Sequence, residues 1–439
     1  MNARIRKFIN LAGESFWLVP GAMVLAGILL AFGLLGLDRG GHLSARLTES
    51  SWLYDGGGTG ARTLLGAIAS STIAVAGTVF SITIAALSLA AGQMGPRLLR
   101  NFTRDRGVQF TLGAYLGTFS YALMVLRSVR TQDEGPFTPH LALTVGILLA
   151  FVCVATLVYF VGHMAKRINV DTVIELVSDD IQAALKATVA GAAQPASPAA
   201  SFWAHATNIV DKRRGYLQQL DEAGLADWAS HHRTAIRLLV RKGDYVFPGA
   251  PIAVISVSVP KAEEAVRNAT ALGTSRGSAG DAEYAVRQLV EVAVRALSAS
   301  INDPHTAMSV LDRLGAALCE LVGSRLPSGV IIREDAVALV VPTLTYSALV
   351  NVMFHMIRQN AAGSPAVLIR LLDVLTAVVA CETNVERREV LLRHADLVWA
   401  DARRSIGNES DLADIGRRHA RFRRTMAHGV LDAIGARDT

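Results

Sequence analysis

Residues 63–96 read TLLGAIASSTIAVAGTVFSITIAALSLAAGQMGP, a run without one charged side chain. A helix crosses the ~30 Å hydrocarbon core of a bilayer with ~20 residues, so this run can cross and carry its last turns beyond the lipid. Within it Ser71, Ala74, Thr78, Ser81, Ala85, Ser88 and Gly92 follow a seven-residue period, all small and four of them hydroxyl-bearing. Ile73, Phe80, Ile84 and Leu87 fall on another side. The small face has two readings. Lipid gives helices no hydrophobic reason to associate, so a smooth face that lets backbones approach is a packing surface. A polar strip is also tolerated at membrane depth where it lines water, which makes Ser71, Thr78, Ser81, Ser88 and Gly92 candidate pore-lining positions.

Three more uncharged stretches surround this one, at roughly 15–37, 107–126 and 139–165. The first follows Arg4, Arg6 and Lys7 in the manner of a signal peptide, but its apolar run is too long for a signal core and further spans follow. A retained anchor is expected. In the third, Gly113 and Gly117 form a GxxxG-like pair suited to close helix packing, and the fourth is the greasiest. Loop cations set the orientation. Nine lie on the side of the N-terminal arm (Arg4, Arg6, Lys7, Arg97, Arg100, Arg104, Arg106, Lys166 and Arg167), against five opposite (Arg39, Arg46, Arg62, Arg127 and Arg130). Both termini are therefore placed in the cytoplasm. The net charge of +6 then belongs largely to the membrane surface, facing anionic lipid, and calls for no nucleic acid. Gln93, Arg97, Arg100 and Arg104 follow the second span, where Gly95 and Pro96 break the helix. They read either as a headgroup anchor or as the inner mouth of a pore.

The remainder divides into a connecting helix and Ala/Pro/Ser linker at 169–201, a small β module at 202–262 and a mainly helical part at 263–439, after a membrane domain at 1–168. In the connecting helix Asp171 is a cap, and Val173, Leu176, Val177 and Ile181 share one side. GDYVFPGAPIAVI at 243–255 is like the hairpins of biotinyl and lipoyl carrier barrels in shape only, without their lysine-bearing turn. Asp303 as N-cap before Pro304 is a strong helix start, since the side-chain oxygen takes a free amide and proline loses nothing there. Asn302, Asp303, Pro304 and Thr306 form a candidate motif that either caps or binds a small cation or solute. The basic last helix, with Arg417, Arg418, Arg421, Arg423 and Arg424, reads as a solvated or lipid-facing surface. The expected fold is mainly α: a polytopic membrane protein with four transmembrane helices and a cytoplasmic α+β domain containing a small β-barrel-like module.

Two phrases carry a family resemblance: VFSITIAALSLAAGQMGPRLLRNFTRD at 79–105 and ALSASINDPHTAMSVLDRL at 296–314. With the four spans and the GDYVFPGAP hairpin, they resemble a bacterial family of predicted membrane proteins filed as domain of unknown function twenty-two fifty-four. The family's usual LSPxINDPxTA has proline where this chain has Ala299. The resemblance covers nearly the whole chain and implies a multi-pass protein of the bacterial inner membrane, with no activity attached.

No phosphate loop, nucleophile elbow or HExxH is present, so no catalytic, cofactor-binding or metal-ligating residue is assigned and no enzyme is expected. Cys153, Cys319 and Cys381 are far apart and lie in no CxxC, which excludes a disulfide framework and agrees with a reducing compartment. No acidic or basic residue lies deep in a span, which argues against an ion-coupled transporter. What remains is a homo-oligomeric, anion-leaning channel gated by its cytoplasmic domain and conducting a small ion, or a membrane-anchored sensor or scaffold. The bilayer and further copies of the chain are its expected partners.

Overall fold

A computed structural model describes residues 16–40, 57–95, 105–130, 137–190, 194–274, 276 and 281–429. They fall into two compact units, one ending at Asn169 and the other beginning at Val170.

The first unit holds α1 (Leu18–Gly40), α2 (Gly58–Met94), α3 (Arg106–Ser128) and α4 (His140–Ile168). Among the described residues these four are long and apolar enough to cross a membrane. Their burial is unequal. Two-thirds of the α3 span (67%) is buried, against 22–28% for the other three, and its mean hydropathy of 1.2 is the lowest. The two facts have one cause: a helix enclosed by helices carries polar groups wherever neighbours satisfy them. Tyr115 Oη donates to the Cys153 carbonyl at 2.7 Å and Tyr121 Oη to the Ala142 carbonyl at 2.6 Å, tying α3 to α4. The Gly113/Gly117 pair serves close packing against α1. A Cβ at Gly117 would stand 2.9 Å from the Met23 carbonyl oxygen, one at Gly113 2.5 Å from Met23 Sδ, and one at Gly27 2.4 Å from the Gly117 oxygen. At the α1 end, Asp38 accepts from the amides of Leu141 and Ala142 at 3.2 and 3.1 Å, filling donors that the start of α4 leaves open.

The second unit opens with α5 (Val170–Thr188). Its buried face is Val173, Ile174, Val177 and Ile181, while Leu176 is exposed. The helix starts at Val170, so Asp171 lies in its first turn and the expected cap position moves back by two residues, to Asn169. Eight strands and four helices follow in the order β1 (Thr207–Val210), β2 (Gly215–Leu220), α6 (Glu222–His231), β3 (Ile236–Leu238), β4 (Tyr245–Val246), β5 (Pro251–Ile255), α7 (Ala262–Ala269), β6 (Thr270–Gly273), α8 (Ala282–Ala296), α9 (Pro304–Glu320), β7 (Val330–Arg333) and β8 (Ala336–Val340). They build a five-stranded sheet of order β1-β5-β3-β8-β7, in which only β3–β8 is parallel, and a three-stranded sheet β4-β2-β6. No closed barrel forms among the described residues. β3 buries Ile236 and Leu238 and pairs on both edges, so it recruits β8 from far beyond residue 262. Gly243 and Gly249, at φ 93° and 84°, make the turns on either side of β4.

Four helices close the unit: α10 (Tyr346–Asn360), α11 (Pro365–Cys381), α12 (Val385–Ser405) and α13 (Glu409–His428). The arginines of α13 are not all given to solvent. Arg418 pairs with Asp373 of α11 at 3.1 Å and Arg423 with Asp396 of α12 at 3.3 Å. Between α10 and α12, His394 is 1% exposed, bonds Asn351 Oδ1 through Nε2 at 2.9 Å and lies 4.7 Å from the His355 ring. Burial, followed by His355, Arg393 and Arg358, holds its pKa down at about 3.

Two predictions follow from this packing. Gly117→Leu forces α1 and α3 apart and is expected to destabilise the protein by about 2 kcal/mol, read as a lowered thermal midpoint in detergent. Gly33→Leu, whose added Cβ meets nothing within 4 Å, is the control that stays near wild type. His394 binds a proton in the unfolded chain below pH ~6.5 and in the native state only near pH 3. Stability therefore falls as the pH is lowered through that interval. Denaturant titrations at pH 7 and pH 5 should show His394→Gln removing about 2 kcal/mol of the pH-dependent loss; equal slopes in variant and wild type would contradict it.

Candidate functional site

The small stripe of α2 lies on the side of the helix opposite its packing face. Leu65, Ala69, Thr72, Ala76, Val79, Thr83, Ala86 and Ala90 are buried, and 100° per residue places them in one line. Ser71, Ala74, Thr78, Ser81, Ala85, Ser88 and Gly92 are all exposed. Exposed Ile73, Phe80 and Ile84 stand to one side of that stripe, and Ile82 and Leu89 to the other. The result is a shallow groove floored by small residues between two bulky ridges, running along a helix of 37 residues, about 55 Å at 1.5 Å per residue. Three of its hydroxyls are satisfied locally: Ser71 Oγ donates to the Ile68 carbonyl at 3.1 Å, Thr78 Oγ1 to Ala74 at 3.2 Å and Ser81 Oγ to Gly77 at 2.9 Å. Donors spent this way carry no desolvation penalty when a second helix covers the groove, while the oxygen lone pairs still accept from water. α2 ends at Gly95, whose φ of 108° suits glycine and whose amide bonds the Ala91 carbonyl. Arg97, Arg100 and Arg104, and the side chain of Gln93, lie outside the described residues.

Sequence reasoning missed a charged cluster where α3 begins and α4 ends. Asp105, 3% exposed, caps α3 by accepting from the amides of Gly107 and Val108. The same carboxylate meets His163 Nε2 and Arg167 Nε, each at 2.8 Å. Tyr159 stacks on the imidazole with ring centroids 5.3 Å apart. Gly107 leaves room for this, since a Cβ there would stand 2.8 Å from His163 Nε2. The available signals were the Asp-x-Gly start and the four-residue spacing of Tyr159, His163 and Arg167, but nothing joined them across 58 residues.

The INDP turn joins α8 to α9. Asn302 is exposed and left-handed at φ 49°. Asp303 accepts from the Thr306 amide at 3.1 Å and from Thr306 Oγ1 at 2.6 Å, while its own amide bonds the Ala296 carbonyl at 2.7 Å. Pro304 occupies the first helical position. The Thr306 hydroxyl, foremost, holds the Asp303 carboxyl below its usual range. Asp303 and Thr306 are thus committed to the cap, leaving Ile301 and Asn302 as the exposed tip.

A cleft of about 780 Å³ opens where the N-termini of α10 and α12 converge. Glu382, 1% exposed, accepts from the amides of Thr383 and Asn384, both at 3.0 Å, and meets Arg387 Nη1 at 3.4 Å. Arg387 also donates to the carbonyls of Leu321 and Ser324 and lies over the Tyr346 ring at 4.8 Å. The Tyr346 hydroxyl is buried without a hydrogen-bond partner, and burial pushes its pKa up. Arg325 lines the cleft with an exposed guanidinium. Sequence reasoning had no signal for this cleft, whose walls come from four separate segments. Among the described residues no three His, Cys, Asp or Glu side chains come together in a way that would hold a metal ion.

Comparison with known proteins agrees with this architecture. Uncharacterized proteins of Mycobacterium tuberculosis and Mycobacterium bovis are 31% identical to the chain over 417 residues, covering 88% of it and 78% of each relative. No solved structure matches. The family described as Predicted membrane protein (DUF2254) matches residues 13–377, and the chain belongs to that family.

Proposed function

We propose that the chain is a homo-oligomeric channel of the bacterial inner membrane, anion-leaning and gated by its cytoplasmic domain, with both termini in the cytoplasm. The observation that carries this reading is the groove on α2. A membrane helix that turns its smallest residues away from its own protomer, between flanking ridges, is shaped to receive another helix. When copies associate through that face, Ser71, Thr78, Ser81 and Ser88 approach a common axis. Exposed Arg127 and Arg130 at the far end of α3 supply positive charge at one mouth, and Arg97, Arg100 and Arg104 do so by sequence at the other. Like charges at a narrow entrance repel cations. The role is non-enzymatic and needs neither cofactor nor nucleic acid.

A second reading, a membrane-anchored sensor, is favoured by the cleft between α10 and α12. Its volume lies in the range of small-molecule sites, and Tyr346 offers it a buried hydroxyl with no partner.

The test is ion flux into liposomes holding the purified protein, with chloride and potassium gradients applied separately. Chloride-favouring flux is expected, and Ser81→Leu should abolish it while native mass spectrometry still finds the oligomer. Liposomes that stay tight under both gradients would reject the channel and leave the sensor.

A further inference from the structure

Phe247 follows β4 with 64% of its surface exposed. Its carbonyl accepts from the Ala250 amide at 3.1 Å, and Gly249 takes φ 84° after Pro248. These are the marks of a type II turn, in which proline and glycine together fix the backbone. The Phe247 ring packs edge-on against Tyr245, centroids 5.0 Å apart, and Tyr245 packs against Tyr216 at 5.1 Å. A large apolar side chain is thus held out into solvent on a stiff support, so covering it costs little conformational freedom. Val210 and Pro251, paired across β1 and β5, are exposed beside it. The flank of this tip is basic. The Gly249 amide donates to the Asp211 carbonyl at 2.8 Å and Gly215 pairs with Val246, so residues 211–215 run alongside the turn. Residues 210–216 and 245–251 contain one acid, Asp211, which is 5% exposed and meets Arg213 Nη2 at 2.6 Å. With Arg213 spent on that acid, Lys212 and Arg214, both exposed, leave the tip positively charged.

We infer that this tip is a lipid-docking surface: Phe247 and Tyr245 enter the headgroup layer of the membrane that carries the protein, and Lys212 and Arg214 pair with anionic headgroups there. Three observations select lipid as the occupant. Aromatic rings settle at the headgroup level, where an apolar body and a wet edge are both accommodated. The two exposed cations beside them complement an anionic lipid surface and repel basic partners. The fourth span, α4, ends at Ile168 and the second unit begins at Val170, so the bilayer is always within reach of this unit. Docking is then intramolecular, and a high effective concentration lets a small surface suffice. The result is a lipid-dependent state of the second unit, which stands whether or not the protein conducts ions.

The experiment places the full-length protein in detergent, in nanodiscs of phosphatidylcholine and in nanodiscs containing phosphatidylglycerol, and follows hydrogen exchange in peptides covering 207–220 and 241–255. Exchange at 245–251 should slow when phosphatidylglycerol is present and recover at high salt, which screens the cations. Lys212→Ser combined with Arg214→Ser should weaken docking about fivefold for each cation removed. Phe247→Ser should abolish the protection while exchange in the buried core of α11 stays as in wild type. Exchange at the tip that is indifferent to phosphatidylglycerol overturns the inference. So does protection that appears in detergent and grows with protein concentration, which would make a second copy the occupant. Wild type alone decides the matter even where a variant folds poorly, because the lipid is what varies.

Discussion

The spanning unit depends on one constraint: in lipid its helices gain nothing from hiding apolar surface, so they hold together by close backbone contact and interhelical hydrogen bonds. That contact is the crossing of α1 and α3, where Gly27, Gly113 and Gly117 leave the Met23 and Gly117 carbonyls no room for a Cβ. With α1 seated there and α4 fastened by two tyrosine hydroxyls, α3 becomes the enclosed helix. One face of α2 completes the enclosure, and its other face is left outward.

This arrangement inverts the usual link between hydropathy and depth. In a water-soluble protein the most apolar element is the most buried; here α4, with a mean hydropathy of 2.7, is among the most exposed and α3, at 1.2, is the most buried. Lipid replaces water as the solvent of the outer face, so polar groups retreat inward. Gln109, Thr111 and Thr118 are accordingly all buried on α3.

What could be read from the sequence was what is local. The four spans, the end of α2 at Gly95, the cap at Asp303 with Pro304 and the packing role of Gly113 and Gly117 each follow from a few adjacent residues and a helical period. The groove was half legible: spacing gathered its small residues, but only the packing of α2 decides that they face away from the protomer. On the connecting helix Ile174 takes the buried place expected of Leu176, because at 100° per residue it lies nearer the line of Val173, Val177 and Ile181. The β module was read as too self-contained because β3 and β8, paired in parallel, are about a hundred residues apart. Asp105 with His163 was hidden for the same reason: each half alone is an ordinary cap or helix-end residue, and only the fold brings it its partner.

The buried acids bear on function as a group. Asp105, Asp211, Glu283 and Glu382 are each 5% exposed or less, and each is met by at least one guanidinium. Burial works to raise the Asp211 and Glu283 pKa values, yet Arg213 in one case and Arg287, Arg241 and Arg276 in the other hold both below the usual range. Such pairs add little net stability, since desolvation offsets most of the attraction, but breaking one strands a charge and so fixes the geometry around it. Two of the four, Asp105 and Glu382, also accept from open amides at or just before a helix start. Carboxylates engaged on this many sides are poor proton shuttles, because moving a proton onto one means dismantling its partners first. These four acids therefore hold the geometry around them rather than pass protons.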